Sequence, residues 1–170
     1  GYTMGDPGAV MAAGSLIPSR ASLRDKLRSF VENKVFLNGV HLDRCLADKY
    51  HHILEARRTR YLYGYPSVIS VFARHLESAG KTLPDLRAVF TTSEMLQASY
   101  RKTIQQGLRV EVFNNLGCND GGFESYECRR HDGLHYNDLQ AILETTGDSS
   151  LLITNLWNLS TPFVRYQNGD

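Results

Sequence analysis

The sequence predicts an α/β protein in which a parallel sheet with crossover helices is followed by an antiparallel β meander or small barrel. Two observations carry this. Between residues 34 and 113, apolar segments of strand length alternate with segments of helical period. That alternation predicts parallel strands joined by helices. After Phe123 the helical period disappears, and short extended segments follow one another across turn residues, which predicts antiparallel pairing. The expected division is 1–122 for the α/β part and 123–170 for the β-rich extension.

The elements follow in order. Residues 1–19 are rich in glycine, alanine and proline and are expected to be loop, with at most a short buried segment around Ala9 to Ala13. Ser22 to Phe30 is expected to be a short helix with Leu23, Leu27 and Phe30 on one side. Val35 to Leu37 is a short strand. Asp43 is a cap signal for a helix with Leu46, Tyr50, Ile53 and Leu54 inward. Arg60 to Gly64 is a strand. Pro66 then opens a helix over Ser67 to Ser78, with Val68, Val71, Phe72 and Leu76 as its apolar face and Gly80 as its stop. Leu86 to Phe90 is a mostly apolar strand, as expected of one covered on both faces. A helix over Leu96 to Gln106 ends at Gly107, and Arg109 to Phe113 is the next strand. The loops after Tyr63, Phe90 and Phe113 should lie on one edge of such a sheet. Five extended segments follow: Phe123–Cys128, Leu134–Tyr136, Leu139–Glu144, Leu151–Leu156 and Phe163–Tyr166.

Composition narrows the function classes. A chain of 170 residues, 42% hydrophobic and 22% charged, is long enough for a real core. A net charge of +1 offers no broad electrostatic grip on nucleic acid or a membrane surface. No apolar run approaches the roughly 20 residues of a membrane helix, and no basic segment leads into an apolar one as in a secretory signal. Three cysteines without framework spacing suit a reducing, cytoplasmic compartment.

The most informative stretch is Val110 to Cys128. A strand ending at Phe113 should break into a polar, glycine-containing loop, Asn114 to Gly122, before a second extended segment. Such a loop at the carboxyl end of a strand is where open α/β sheets bind ligands. Cys118, Cys128, His131 and His135 lie close in sequence, and Cys128 with His135 are candidate zinc ligands. No Cys-x-x-Cys pair accompanies them, so a buried Cys128 and a strand histidine at His135 are the simpler reading. His41, His51 and His52 form a loose group, expected to be surface or helix-face histidines.

Five strings occur in order: YGYPS (Tyr63–Ser67), TTSEML (Thr91–Leu96), NNLGCNDGG (Asn114–Gly122), ECRRHDGLH (Glu127–His135) and FVRYQNGD (Phe163–Asp170). Over roughly residues 34–170 the chain thereby resembles the adenylate-forming enzymes, in particular the phenylacetate–coenzyme A ligases and their capsule-biosynthesis relatives. The resemblance implies activation of a small carboxylic acid by ATP with Mg²⁺, through an acyl-adenylate, and then transfer to a thiol such as coenzyme A. It also implies a set of site residues. Asn114 would read the adenine amino group, with Asn115 and Gly117 beside it. Leu116 would stand where an aromatic ring packs on adenine. Asn119 would replace a threonine at the α-phosphate, and Asp120 a glutamate that holds Mg²⁺. Asp170 would bind the ribose hydroxyls, and Thr92, Ser93 and Glu94 would line the adenine and acyl pocket. Leu116, Asn119 and Asp120 depart from the family pattern, which keeps open a degenerate nucleotide- or acyl-binding module of the same fold. A Ser/Thr/Gly-rich phosphate loop and a lysine-bearing small domain do not occur in the sequence. The expectation is therefore a piece of a larger enzyme's N-terminal domain, inactive by itself. An unrelated α/β binding domain with coincidental strings is the third possibility.

Overall fold

The computed structural model describes residues 3, 5–13, 22–148 and 150–167. They form two compact units, Gly1–Phe113 and Asn114–Asp170.

The first unit contains strands β1 (Gly8–Ala12), β2 (Lys34–Asn38), β3 (Tyr61–Gly64) and β4 (Ala88–Thr91), and the beginning of β5 (Glu111–Cys118). Its helices are α1 (Leu23–Val31), α2 (Arg44–Ala56), α3 (Pro66–Ser78) and α4 (Ala98–Leu108). The strand order is β2-β1-β3-β4-β5, and the pairs β1–β2, β1–β3 and β3–β4 are parallel. The predicted parallel sheet with crossover helices is thus present. Its core brings together Met11, Leu54, Leu62, Ile69, Phe72, Leu76, Val89, Ile104 and Val112, all essentially inaccessible to water.

Four local expectations change. Gly8–Ala12 is a strand flanked on both sides, not loop. Glycine and alanine are weak strand formers, so local preference hides a strand whose buried side chains (Ala9, Met11, Ala12) suit an inner position. The rest of that expectation, residues 14–19, lies outside the described residues. Leu23, Leu27 and Phe30 share a helix but are exposed. Ile53 and Val71, expected inward, are also exposed, because the buried stripes run through Ala47, Tyr50, His51 and Leu54 on α2 and through Ile69, Phe72, Ala73 and Leu76 on α3. Finally, α4 does not stop at Gly107. It runs to Leu108 and ends on Arg109 in the left-handed region, φ 58°. Gly107 serves packing instead: a Cβ there would lie 2.3 Å from the carbonyl oxygen of Ala73 on α3.

The caps behave as read. Asp43 accepts the Leu46 amide at 2.7 Å, satisfying one of the orphan donors of α2. Pro66 opens α3. On the same pair of helices Asp48 accepts from His75 Nε2 at 2.6 Å and Lys81 Nζ at 2.7 Å. The Lys81 hydrogen bond, then that of His75, holds the Asp48 carboxyl at about 2, below its ordinary 3.8. A carboxyl whose folded value is depressed stabilises the fold above its unfolded value and loses that contribution as pH falls through the folded one. Asp48→Asn is expected to flatten the acid limb of stability between about pH 4 and pH 2, measured by urea unfolding at stepped pH. Identical slopes for the two proteins would rule the contribution out.

The second unit is all β among its described residues. The end of β5 pairs antiparallel with β6 (Phe123–Glu127), and β6 with β7 (Leu134–Tyr136). A separate sheet has the order β10-β9-β8, built from β8 (Ala141–Thr145), β9 (Leu151–Asn155) and β10 (Tyr166–Gln167), again antiparallel. The predicted meander is present. Its small core is Phe123, Ala141 and Ile153, with Leu116, Cys118, Leu143, Leu151 and Tyr166 against it. Among the described residues no helix is long and apolar enough to cross a membrane.

Candidate functional site

In the first unit the loops after β3 and β4 meet, as the topology requires. Thr92 is buried and its amide donates to the Gly64 carbonyl at 3.0 Å. Ser93 is exposed, in the left-handed region at φ 64°. Glu94 turns back to the first turn of α3: Oε1 accepts from Ser67 Oγ at 2.9 Å and Oε2 from the Ser67 amide at 3.1 Å. No side chain of the Tyr65 N-cap position does this. Glu94 therefore supplies from a distance the acceptor that a helix N-terminus needs. Its carboxylate has a positioning job that its place in the TTSE string does not reveal.

In the second unit the expected loop is mostly strand. β5 continues through Cys118, with Asn115 opposite Tyr126, Leu116 opposite Ser125, Gly117 opposite Glu124 and Cys118 opposite Phe123. Asparagine and glycine are poor strand formers, and cross-strand pairing overrides that preference. Only Asn119–Gly122 is the turn. The Asn114 amide donates to Glu127 Oε2 at 2.9 Å, and His131 Nδ1 donates to the same oxygen at 3.1 Å. Asn115 Nδ2 donates to Glu124 Oε1 at 3.1 Å. The Leu116 carbonyl accepts from Ser125 Oγ at 2.8 Å, while the Leu116 side chain packs on the small core.

The turn is held from within. The Gly122 amide donates to the Cys118 carbonyl at 2.8 Å and the Gly121 amide to Cys118 Sγ at 3.2 Å. Asn155 Nδ2 donates to the Gly121 carbonyl at 3.1 Å. Asn119 and Asp120 project from this braced turn into solvent, and Asp120 has no ion-pair or hydrogen-bond partner among the described residues. An exposed, unpaired carboxylate on a hydrogen-bonded turn can take a hard cation. Asp170 lies outside the described residues. Cys128 Sγ accepts the Arg130 amide at 3.5 Å, and the His135 ring lies 6.4 Å from that of Tyr126. Among the described residues neither joins a group of three metal-ligating side chains.

Glu127 and Asn155 were not singled out from sequence. Glu127 at least opens one of the five strings; Asn155 carries no local signal at all.

No protein-family model matches the chain. Indoleacetate–lysine synthetase of Pseudomonas savastanoi is 31% identical over 143 residues, 78% of this chain and 35% of that protein. Among solved structures, 2-hydroxyisobutyryl-CoA ligase in an open conformation, in complex with 2-HIB-AMP and CoA, matches 99% of this chain and 40% of its own with a TM-score of 0.72 at 16% identity. The fold is that of an adenylate-forming enzyme domain. Apo MbtA of Mycobacterium smegmatis follows at a TM-score of 0.61 and 12% identity, over 95% of this chain and 32% of that one. VinN matches at 0.58 and 15% identity, over 91% and 41%. The chain spans about a third of the length of the curated relative, 35%. The fold agrees with the one that the resemblance drawn from the five strings implies.

Proposed function

We propose that the protein carrying this chain is an ATP-dependent ligase that activates an arylacetic acid, in the manner of phenylacetate–coenzyme A ligases. The observation that carries this is the 31% identity with indoleacetate–lysine synthetase, on a chain with the adenylate-forming fold. In the reaction a carboxylate oxygen of the acid attacks the α-phosphorus of ATP. The bond to the β-phosphate bridging oxygen breaks, pyrophosphate leaves, and an acyl-adenylate remains. A coenzyme A thiol then displaces AMP to give the thioester. The name of the curated relative favours a second reading of this last step, in which an amine is the acceptor.

The chain's residues fit the nucleotide unequally. Asp120, exposed and unpaired, suits Mg²⁺, which supplies charge neutralisation at the phosphates. Asn119, beside it on the turn, offers an amide donor for an α-phosphate oxygen, where developing negative charge needs donors. Asn114, Asn115 and Gly117 present strand β5 to the adenine. Leu116 is engaged with the small core, so it supports the strand more than it stacks on a base. Glu94 is bound to Ser67, so it positions the Thr92–Ser93 loop. Asp170 takes the ribose diol.

Calorimetric titration of the chain with AMP and with Mg-ATP tests the nucleotide site. Asp170→Ala is expected to weaken both ligands about tenfold or more, roughly 1.4 kcal/mol. Asp120→Ala should weaken Mg-ATP by a similar factor and leave AMP nearly unchanged. ATP–pyrophosphate exchange by the whole protein then tests the chemistry, with phenylacetate and indoleacetate as acids. Nucleotide binding without acid-stimulated exchange would identify a binding module that has lost the reaction.

A further inference from the structure

On α2, in the first unit, one histidine that has no part in the proposed nucleotide site stands out. His51 is 5% exposed, and its Nε2 lies 2.9 Å from the carbonyl oxygen of Thr82. A carbonyl can only accept, so Nε2 donates here, which leaves Nδ1 as the ring nitrogen that can offer a lone pair to a metal ion. That Nδ1 is buried and has no hydrogen-bond partner. Buried polar atoms without partners are few, and each one calls for a reason.

The neighbours supply one. His52 and Glu55 are exposed, and one ligand atom from each of His51, His52 and Glu55 lies within 4.8 Å of the others. The two imidazole rings sit edge to face, centroids 5.7 Å apart at 68°. The spacing brings this about: Glu55 follows His51 by four residues and His52 by three, so its carboxylate shares their side of the helix.

We propose that His51, His52 and Glu55 bind a divalent transition-metal ion, with zinc the best match. Two imidazoles and one carboxylate are a zinc donor set with a fourth position open to water, and imidazole selects against magnesium and calcium. The His51 Nε2–H bond to Thr82 is the outer-shell contact that metal-bound imidazoles make, fixing the tautomer and strengthening the ligand. The ion would hold together the last turns of α2 and, through His51, brace the segment around Thr82. The site is independent of the Mg²⁺ assigned to Asp120.

Titration of the chelator-treated chain with Zn²⁺ alone, followed by calorimetry, and with Co²⁺ alone, followed by visible absorption, tests this. One equivalent is expected to bind and to raise the thermal midpoint. His52→Ala and Glu55→Gln, both at exposed positions, should each keep the fold and lose about tenfold or more of the affinity. No uptake of either metal by the wild-type chain would overturn the site. So would uptake that both variants retain and that Cys128→Ser or His135→Ala abolishes.

Discussion

Gly64→Ala is expected to destabilise the first unit by about 3 kcal/mol or more. Gly64 ends β3 opposite Met11 of β1, with Thr91 of β4 on its other side. A Cβ at Gly64 would stand 1.8 Å from the Met11 carbonyl oxygen and 2.6 Å from its carbon. Those are backbone atoms of an inner strand, and Met11 itself is wholly buried. No flexible side chain can give way, so one strand must shift. The φ of 155° adds strain, since an L side chain seldom adopts it. The consequence reaches the loops, because the Gly64 carbonyl accepts the Thr92 amide and the Met11 carbonyl accepts the Tyr65 amide. Urea unfolding would measure the loss, and amide exchange at Thr92 and Tyr65 its reach. A cost below about 1 kcal/mol would mean that β1 and β3 are free to separate.

Asn155→Ala should cost the second unit roughly 2–4 kcal/mol. One side chain makes three hydrogen bonds: Nδ2 to the Gly121 carbonyl at 3.1 Å, and Oδ1 from the amides of Trp157 at 2.7 Å and Asn158 at 2.8 Å. Each is worth about 0.5–1.5 kcal/mol net. The side chain also fills the space beneath Gly122, where a Cβ would lie 1.9 Å from Asn155 Nδ2. Removing it loosens the turn that carries Asn119 and Asp120, so Mg-ATP affinity should fall together with stability. Trp157 is the chain's one tryptophan, and its fluorescence reports this loop directly. An unchanged emission spectrum with a stability loss under about 1 kcal/mol would refute the bracing role.

Much of the fold was legible in short stretches of sequence. The alternation of helix and strand from β2 to β5, the Asp43 cap, the Pro66 helix start and the first four extended segments after Phe123 all depend on signals a few residues long; the fifth, expected over Phe163–Tyr166, is instead the short strand Tyr166–Gln167, because Arg165 before it is in the left-handed region at φ 52°. Periodicity, capping and turn chemistry are encoded locally, so they survive without knowledge of partners. The site was legible in part. The stretch from Asn114 to Asp120 drew notice for its polarity, yet it was expected to be loop, because asparagine and glycine disfavour strands when considered alone.

Tertiary structure decided the rest, and in each case the reason is non-local. β1 exists because β2 and β3 flank it, not because Gly8–Ala12 prefers an extended backbone. Gly107 belongs inside α4 because Ala73, far away in sequence, comes too close for a side chain. Glu94 caps α3 across 27 residues, and Asn155 braces the Gly121 carbonyl across 34. His51 becomes a candidate ligand only once Thr82 claims its other nitrogen. The sequence by itself determined most of the helices and strands from β2 onward and where polar chemistry gathers. Only the packed chain decided which neighbour each strand found, which glycine had no room for a methyl group, and which polar atoms were left without a partner.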